Sequence, residues 1–234
     1  MTSMTFKGVT SAYMGVVVLD YPPITKPAAR IKTETIPGRS GELTLQSEPA
    51  YEPYDKVVRC RLLATAVLEN VSAWLNGAGL LIIGNEPTYA YTARVKDKID
   101  FEKVLPGQDA RVFDVTFTVQ PEKRLAVTEA DIVLTANGTI NNPGTLPSRP
   151  KIRIAATGDV TLMIGQYITD LTGLTSTIIL DSEIGMATNA AGTLNASPLV
   201  SGDWPWPQIE PGGNAVSWTG TVTSITITPR WRWL

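Results

Sequence analysis

A mainly β fold in two domains, with one helix in the first, follows from three observations. Apolar and polar residues alternate with period two in several short runs, most cleanly where Phe113, Val115, Phe117 and Val119 interleave with Asp114, Thr116 and Thr118. Only residues 67–76 hold a helical stripe. Residues 137–150, with Asn137-Gly138, Asn142-Pro143-Gly144 and two further prolines, are turn chemistry that can begin a strand but not run inside one. Composition changes close to that stretch. Residues 1–125 carry 15 Lys/Arg and 14 Asp/Glu, whereas residues 126–234 carry 5 and 8, with 17 threonines. A domain boundary is therefore expected within 126–150.

In the first domain the run Val16-Val17-Val18-Leu19, closed by Pro22-Pro23, reads as a buried strand. Residues 30–36 alternate charged and apolar or threonine positions, as in a strand with one wet face. Pro37-Gly38 then forms the type II turn signature, because proline presets φ and glycine accepts a positive one. Arg39 and Gly41 continue it into a strand over 42–45. Residues 57–63 place Val58, Cys60 and Leu62 on one face, so Cys60 is a small core residue rather than a reactive thiol. In the helix, Leu68, Val71, Trp74 and Leu75 form the apolar stripe, Thr65 is placed to cap the start and Gly77 the end. Strands are expected at 80–83, 89–96 and 111–120.

In the second domain, short strands at 151–155, 159–164, 177–181, 214–219 and 221–228 separated by glycine turns predict an antiparallel sandwich. Residues 187–197 read as its long surface loop. Five of the six tryptophans (Trp204, Trp206, Trp218, Trp231 and Trp233) fall in the last 31 residues. Trp204 and Trp206 are candidates for glycan or partner contact, although packing at a sandwich edge explains them more simply. Asp181 and Glu183, two apart at a strand end, suit a glycosidase pair only if a cleft encloses them. As solvated turn residues they carry no chemistry.

The totals exclude other classes. The chain has 234 residues and a net charge of −2, with no clustered Lys/Arg to grip phosphates. A single cysteine rules out an internal disulfide framework. The absence of histidine removes the usual zinc sets and every Ser-His or Cys-His pair. The N-terminus lacks a secretory pattern, and the apolar stretches are too short to cross a bilayer. The expectation is a non-enzymatic chain without cofactor, bound metal or membrane insertion.

Several ordered pieces resemble the distal tail protein family, the hub proteins of long, non-contractile siphovirus tails. They are Met4-Thr5-Phe6-Lys7-Gly8, Ile36-Pro37-Gly38-Arg39-Ser40-Gly41, Ala73-Trp74-Leu75-Asn76-Gly77, Pro87-Thr88-Tyr89-Ala90-Tyr91 and Val115-Thr116-Phe117-Thr118-Val119-Gln120-Pro121. Glu122 departs from the pattern, where an aromatic is expected. Downstream, Pro150-Lys151-Ile152-Arg153-Ile154, Ile179-Leu180-Asp181-Ser182-Glu183 and residues 206–214 continue the resemblance. It implies an N-terminal β-sandwich-like ring domain with one helix (1–130) and a C-terminal galectin-like antiparallel β-sandwich (131–234). It further implies a homo-hexamer at the virion tail tip, made in the host bacterial cytoplasm. That ring would lie between the tail tube protein and tail-associated, receptor-binding or adhesin proteins, and DNA would pass through its channel without specific binding. The alternative is a carbohydrate-binding virion protein that recognises host glycans through its Trp-rich end.

Overall fold

The computed structural model describes residues 3–45, 50–104, 110–202 and 205–234. It divides into two compact units, Met1–Ala126 and Val127–Trp233.

The first unit is built on strands β1 (Met4–Phe6), β2 (Val9–Thr10), β3 (Val16–Asp20), β4 (Thr33–Glu34), β5 (Leu43–Thr44) and β6 (Tyr54–Leu62). Helix α1 (Leu68–Trp74) follows, then β7 (Ala78–Ile83), β8 (Tyr89–Val95), β9 (Glu102–Lys103) and β10 (Arg111–Leu125). One antiparallel sheet runs β2-β1-β7-β8-β10-β6-β3, with β9 also on β10. The inward residues of these strands, among them Phe6, Val18, Val58, Cys60, Ile83, Tyr91, Phe113 and Phe117, form one core with Val71 and Trp74 of the helix. Phe6 meets Phe117 edge-on, with centroids 5.2 Å apart.

The second unit holds β11 (Ile132–Leu134), β12 (Gly138–Asn142), β13 (Lys151–Ile164), β14 (Tyr167–Leu174), β15 (Ile178–Asp181), β16 (Met186–Asn189), β17 (Val200–Ser201) and β18 (Gly212–Thr228). Its sheet runs β11-β18-β13-β14-β17, with β12 on β18 and β15–β16 on β13. Two long strands carry it. The first part of β13 pairs with β15 and the rest with β14, while β18 pairs first with β12 and then with β11. The sandwich thus forms because β13 and β18 bend across it.

Several expectations are corrected here. The separate strands at 151–155 and 159–164 are one strand, as are those at 214–219 and 221–228. The glycine turns that seemed to divide them are irregularities in a continuous ladder, with shifts at Ala155/Ala156 and Thr157/Thr161. Residues 187–197 are not wholly loop, since β16 runs to Asn189. The strand expected at 30–36 shrinks to the exposed pair Thr33–Glu34, because no sheet lies beside it to bury its apolar positions. Strand β10 runs on to Leu125 through Pro121, which is tolerated at the Val119/Lys123 register shift where no ladder donor is needed. The helix begins after Val67 without a side-chain cap, so Thr65 does not cap it.

The bend in β18 depends on Gly220. Its φ is +89°, and a Cβ there would lie 2.2 Å from the Asp159 carbonyl oxygen. Gly158 has φ +78° but open space around it. Gly158→Ala should therefore cost about 1 kcal/mol of backbone strain, and Gly220→Ala at least ~3 kcal/mol through strain plus clash. Urea unfolding of the two variants checks the order. Equal losses would show that the close approach at Asp159 does not constrain the bend.

Candidate functional site

Strands β3 and β6 are neighbours, and an antiparallel pair needs only a short loop. Instead the described residues 21–45 and 50–53 leave the sheet as an arm. At its base Pro22-Pro23 end the ladder, and Asn85 Nδ2 donates to the Pro22 carbonyl at 3.0 Å. Further out, Arg30 N donates to the Ala50 carbonyl, Glu52 N to that of Ala28, and the Arg30 guanidinium grips the Glu52 carboxylate at 2.6 and 3.2 Å. The tip turns at Pro37-Gly38, where Gly38 has φ +83° and Arg39 N donates to the Ile36 carbonyl at 3.1 Å. Gly41 also has φ +83°. Arg39 and Gly41 are exposed. Ile24, Ile31, Ile36 and Leu45 all lie in water along the arm, at 40–66% exposure.

The arm is anchored by a buried charge network that the sequence reading missed. Lys56 is 1% exposed and donates to the Pro23 carbonyl at 3.2 Å. Its ammonium lies 3.6 Å from Glu86, over the Tyr91 ring. Glu86 also accepts from Tyr91 Oη at 2.5 Å and Lys123 Nζ at 3.1 Å. Burial pushes the Lys56 ammonium down, partly offset by Glu86. Burial pushes Glu86 up, but the Tyr91 and Lys123 hydrogen bonds and the two ammonium charges outweigh it and hold the carboxyl below its ordinary range. Burial and Glu86 raise Tyr91 and Tyr54. A signal did exist in the sequence: Lys56 has the inward parity of Val58, Cys60 and Leu62, where a lysine needs a buried partner.

The helix motif is structural. Trp74 donates from Nε1 to the Phe6 carbonyl at 3.0 Å, Leu75 is buried and is the C-cap, and Gly77, with φ +78°, lies three residues beyond the last helical residue rather than capping it. Cys60 is fully buried, and burial with Asp114 nearby pushes its thiol up to about 12.

In the second unit, Trp204 lies outside the described residues. Trp206 is half-buried against the core beside Gly185, Trp218 and Trp233 pack likewise, and Trp231 is buried. Of these rings Trp231 alone is buried, and Trp206, Trp218 and Trp233 pack on the core with part of each ring exposed. Asp181 is not a solvated turn residue as expected. It takes the Arg230 guanidinium in two bonds, 2.7 and 2.9 Å, and Glu183 lies 3.1 Å from the same guanidinium. Burial would raise the Asp181 carboxyl, but Arg230 holds it below the usual range. Asp181 is therefore not a raised-pKa acid of the kind a glycosidase pair requires. Among the described residues no helix is long and apolar enough to cross a membrane, and no group of acidic or cysteine side chains is arranged to hold a metal.

Two mainly β units in series, with one helix in the first and a sandwich in the second, are a fold shared with solved phage proteins. The chain matches the crystal structure of the Dit protein of phage SPP1, a hub adsorption apparatus protein of phages that infect Gram-positive bacteria. The TM-score is 0.77 at 14% identity, over 100% of both chains. It also matches a chain of the phage P2 baseplate in its activated conformation with calcium. There the TM-score is 0.52 at 7% identity, over 98% of this chain and 97% of that one. No family model and no curated protein matches the sequence.

Two predictions follow from the buried groups. Glu86→Gln leaves Lys56 and Lys123 without a counter-charge and should cost about 3 kcal/mol. Because the folded pKa of Glu86 lies below the unfolded one, its contribution is present above the ordinary value of 4.5 and lost as pH falls through the folded value. The acid limb of a pH–stability curve should flatten in the variant. An unchanged limb would show that the carboxylate is not held by its partners. Cys60 should resist a thiol reagent in native buffer and react only on unfolding, which mass spectrometry of labelled protein checks.

Proposed function

We propose that this chain is a structural hub of a phage tail tip. Six copies form a ring through the first unit, residues 1–130, between the tail tube protein and the receptor-binding or adhesin proteins. The second unit, 131–234, presents docking surfaces as a galectin-like sandwich. The protein acts in the virion after synthesis in the host cytoplasm, and it neither catalyses a reaction nor holds a cofactor. The observation that carries this reading is the end-to-end correspondence with the SPP1 Dit hub protein, both units in the same order. The sequence resemblance to distal tail proteins supports it independently.

The physics of the first unit favours a ring. Its arm is hydrogen-bonded into shape yet leaves branched apolar side chains in water. The same unit carries an open recess of about 370 Å³ lined by residues that include Tyr13, Met14, Leu63 and Val67. An arm on one face and a recess on another make a head-to-tail contact, which closes into a ring when repeated at a fixed rotation. Among its described residues, bases on the sheet also sit beside acids. Arg59 is in register with Asp20 and Asp114, and Asp55 faces Lys96. Acid and base alternate, so DNA would slide past without being gripped.

Negative-stain microscopy and native mass spectrometry of the full chain test the proposal. A six-membered ring with a central hole is expected. The double variant Ile31→Asp/Ile36→Asp should stay monomeric with an unchanged melting temperature, since both side chains are already exposed. If the native chain stays monomeric even when mixed with its tail-tube and adhesin neighbours, the hub reading fails.

A further inference from the structure

The five basic residues of the second unit are unevenly placed against its eight acidic ones. Arg230 is taken by Asp181 and Glu183, and Arg232 is buried with its guanidinium on the Pro147 carbonyl. The other three, Arg149, Lys151 and Arg153, are exposed, alternate with buried residues and engage no other described residue. Residues two apart in an extended chain point to one side, about 6.6–6.8 Å apart. Lys151 and Arg153 therefore share the outer face of the sheet, and Arg149 is exposed just before the strand begins.

Strand register places their neighbours. Arg153 is flanked by Thr226 on one side and Ile179 on the other, with Val133 and Thr188 completing that row. Lys151 is flanked by Thr228 and by Asp181, whose charge is met by Arg230, with Met186 beyond. Val133 is 61% exposed and Met186 40%. The Thr228 hydroxyl donates to Asp131 at 2.6 Å. The face thus has exposed cations at its centre, Thr226 and Thr188 beside Arg153, a carboxylate next to the Lys151 end and apolar edges. Elsewhere in the unit Glu129, Asp159, Asp170 and Glu210 accept hydrogen bonds from Trp231 N, Gly173 N, Thr161 and Tyr167.

We propose that this face is the docking surface for an extended acidic segment of a neighbouring tail protein, lying along Lys151 and Arg153. The spacing of that pair equals that of side chains two apart in an extended peptide, so Asp or Glu at alternate positions would meet both cations in register. The Thr226 and Thr188 hydroxyls suit the segment's backbone, and Val133, Ile179 and Met186 suit its apolar flanks. A bare polyanion would leave those apolar edges uncovered, which favours a protein partner. The proposal rests on the hub reading only for the source of that partner.

The test uses the full chain and a labelled peptide of alternating Glu and Thr, followed by fluorescence anisotropy. Binding that weakens with added salt is expected, as is a loss of at least about tenfold in Lys151→Glu/Arg153→Glu with its melting temperature unchanged. Lys26→Glu/Lys32→Glu, an equal charge change on exposed positions of the other unit, should bind as the native chain does. Absence of binding, or equal losses in the two double variants, would overturn the site. Tighter binding of inorganic polyphosphate through the same two residues would overturn the choice of a protein segment. Peptide binding is read whatever the oligomeric state, so failure here leaves the ring proposal standing, and a monomeric chain that still binds leaves this one standing.

Discussion

An antiparallel sheet with one apolar face must curl or fold onto that face, and in this chain the closure depends on a few places where the ladder is broken. In the second unit the long strands β13 and β18 turn together. Three residues of β13, Gly158–Val160, are accommodated opposite Gly220, whose missing side chain lets the backbones approach. In the first unit the same purpose is served at Val119/Lys123, where the bulge in β10 also makes room for Pro121. With those bends in place, Ile152, Ile154, Leu162, Ile164, Val216, Ile225 and Ile227 pack as one core, although they come from only two strands.

The first unit adds a constraint of another kind. Lys56 occupies an inward position among apolar residues, and its charge is sustained only because Glu86 is there, itself held by Tyr91 and Lys123. The network joins β6, the β7–β8 turn, β8 and the end of β10, and through the Pro23 carbonyl it fixes the direction in which the arm leaves. An apolar substitute could fill the same space with less desolvation, but it would not bond the arm's base. Buried charge here supports geometry more than stability.

The two units present different surfaces. The arm of the first is ordered by its own backbone bonds and the Arg30–Glu52 pair, yet its apolar side chains remain uncovered. In the second Trp206, Trp218, Trp231 and Trp233 pack against the core, and the outer sheet face carries Lys151 and Arg153. The resemblance of the sequence to distal tail proteins and the fold shared with SPP1 Dit lead to the same place by separate routes.

Period-two alternation was enough to define the mainly β class and the inward faces of β6, β8 and β10, because burial on one side of a pleated strand leaves a direct record in the residues. Pro37-Gly38 was legible for a similar local reason: proline and glycine restrict their own backbone. The continuity of β13 and β18 was not, since a glycine that ends a strand and a glycine that bends one look alike until the opposing strand is seen. Residues 30–36 carried a strand pattern but pair only as the short ribbon Thr33–Glu34 with Leu43–Thr44, and only the tertiary structure showed those side chains left in water. The partners of Asp181 and Lys56 lie 49 and 30 positions away along the chain, Arg230 and Glu86 respectively. Local sequence determined which faces had to be buried. The pairing of distant strands decided which charges meet, because that pairing is set by long-range packing that no short window of residues contains.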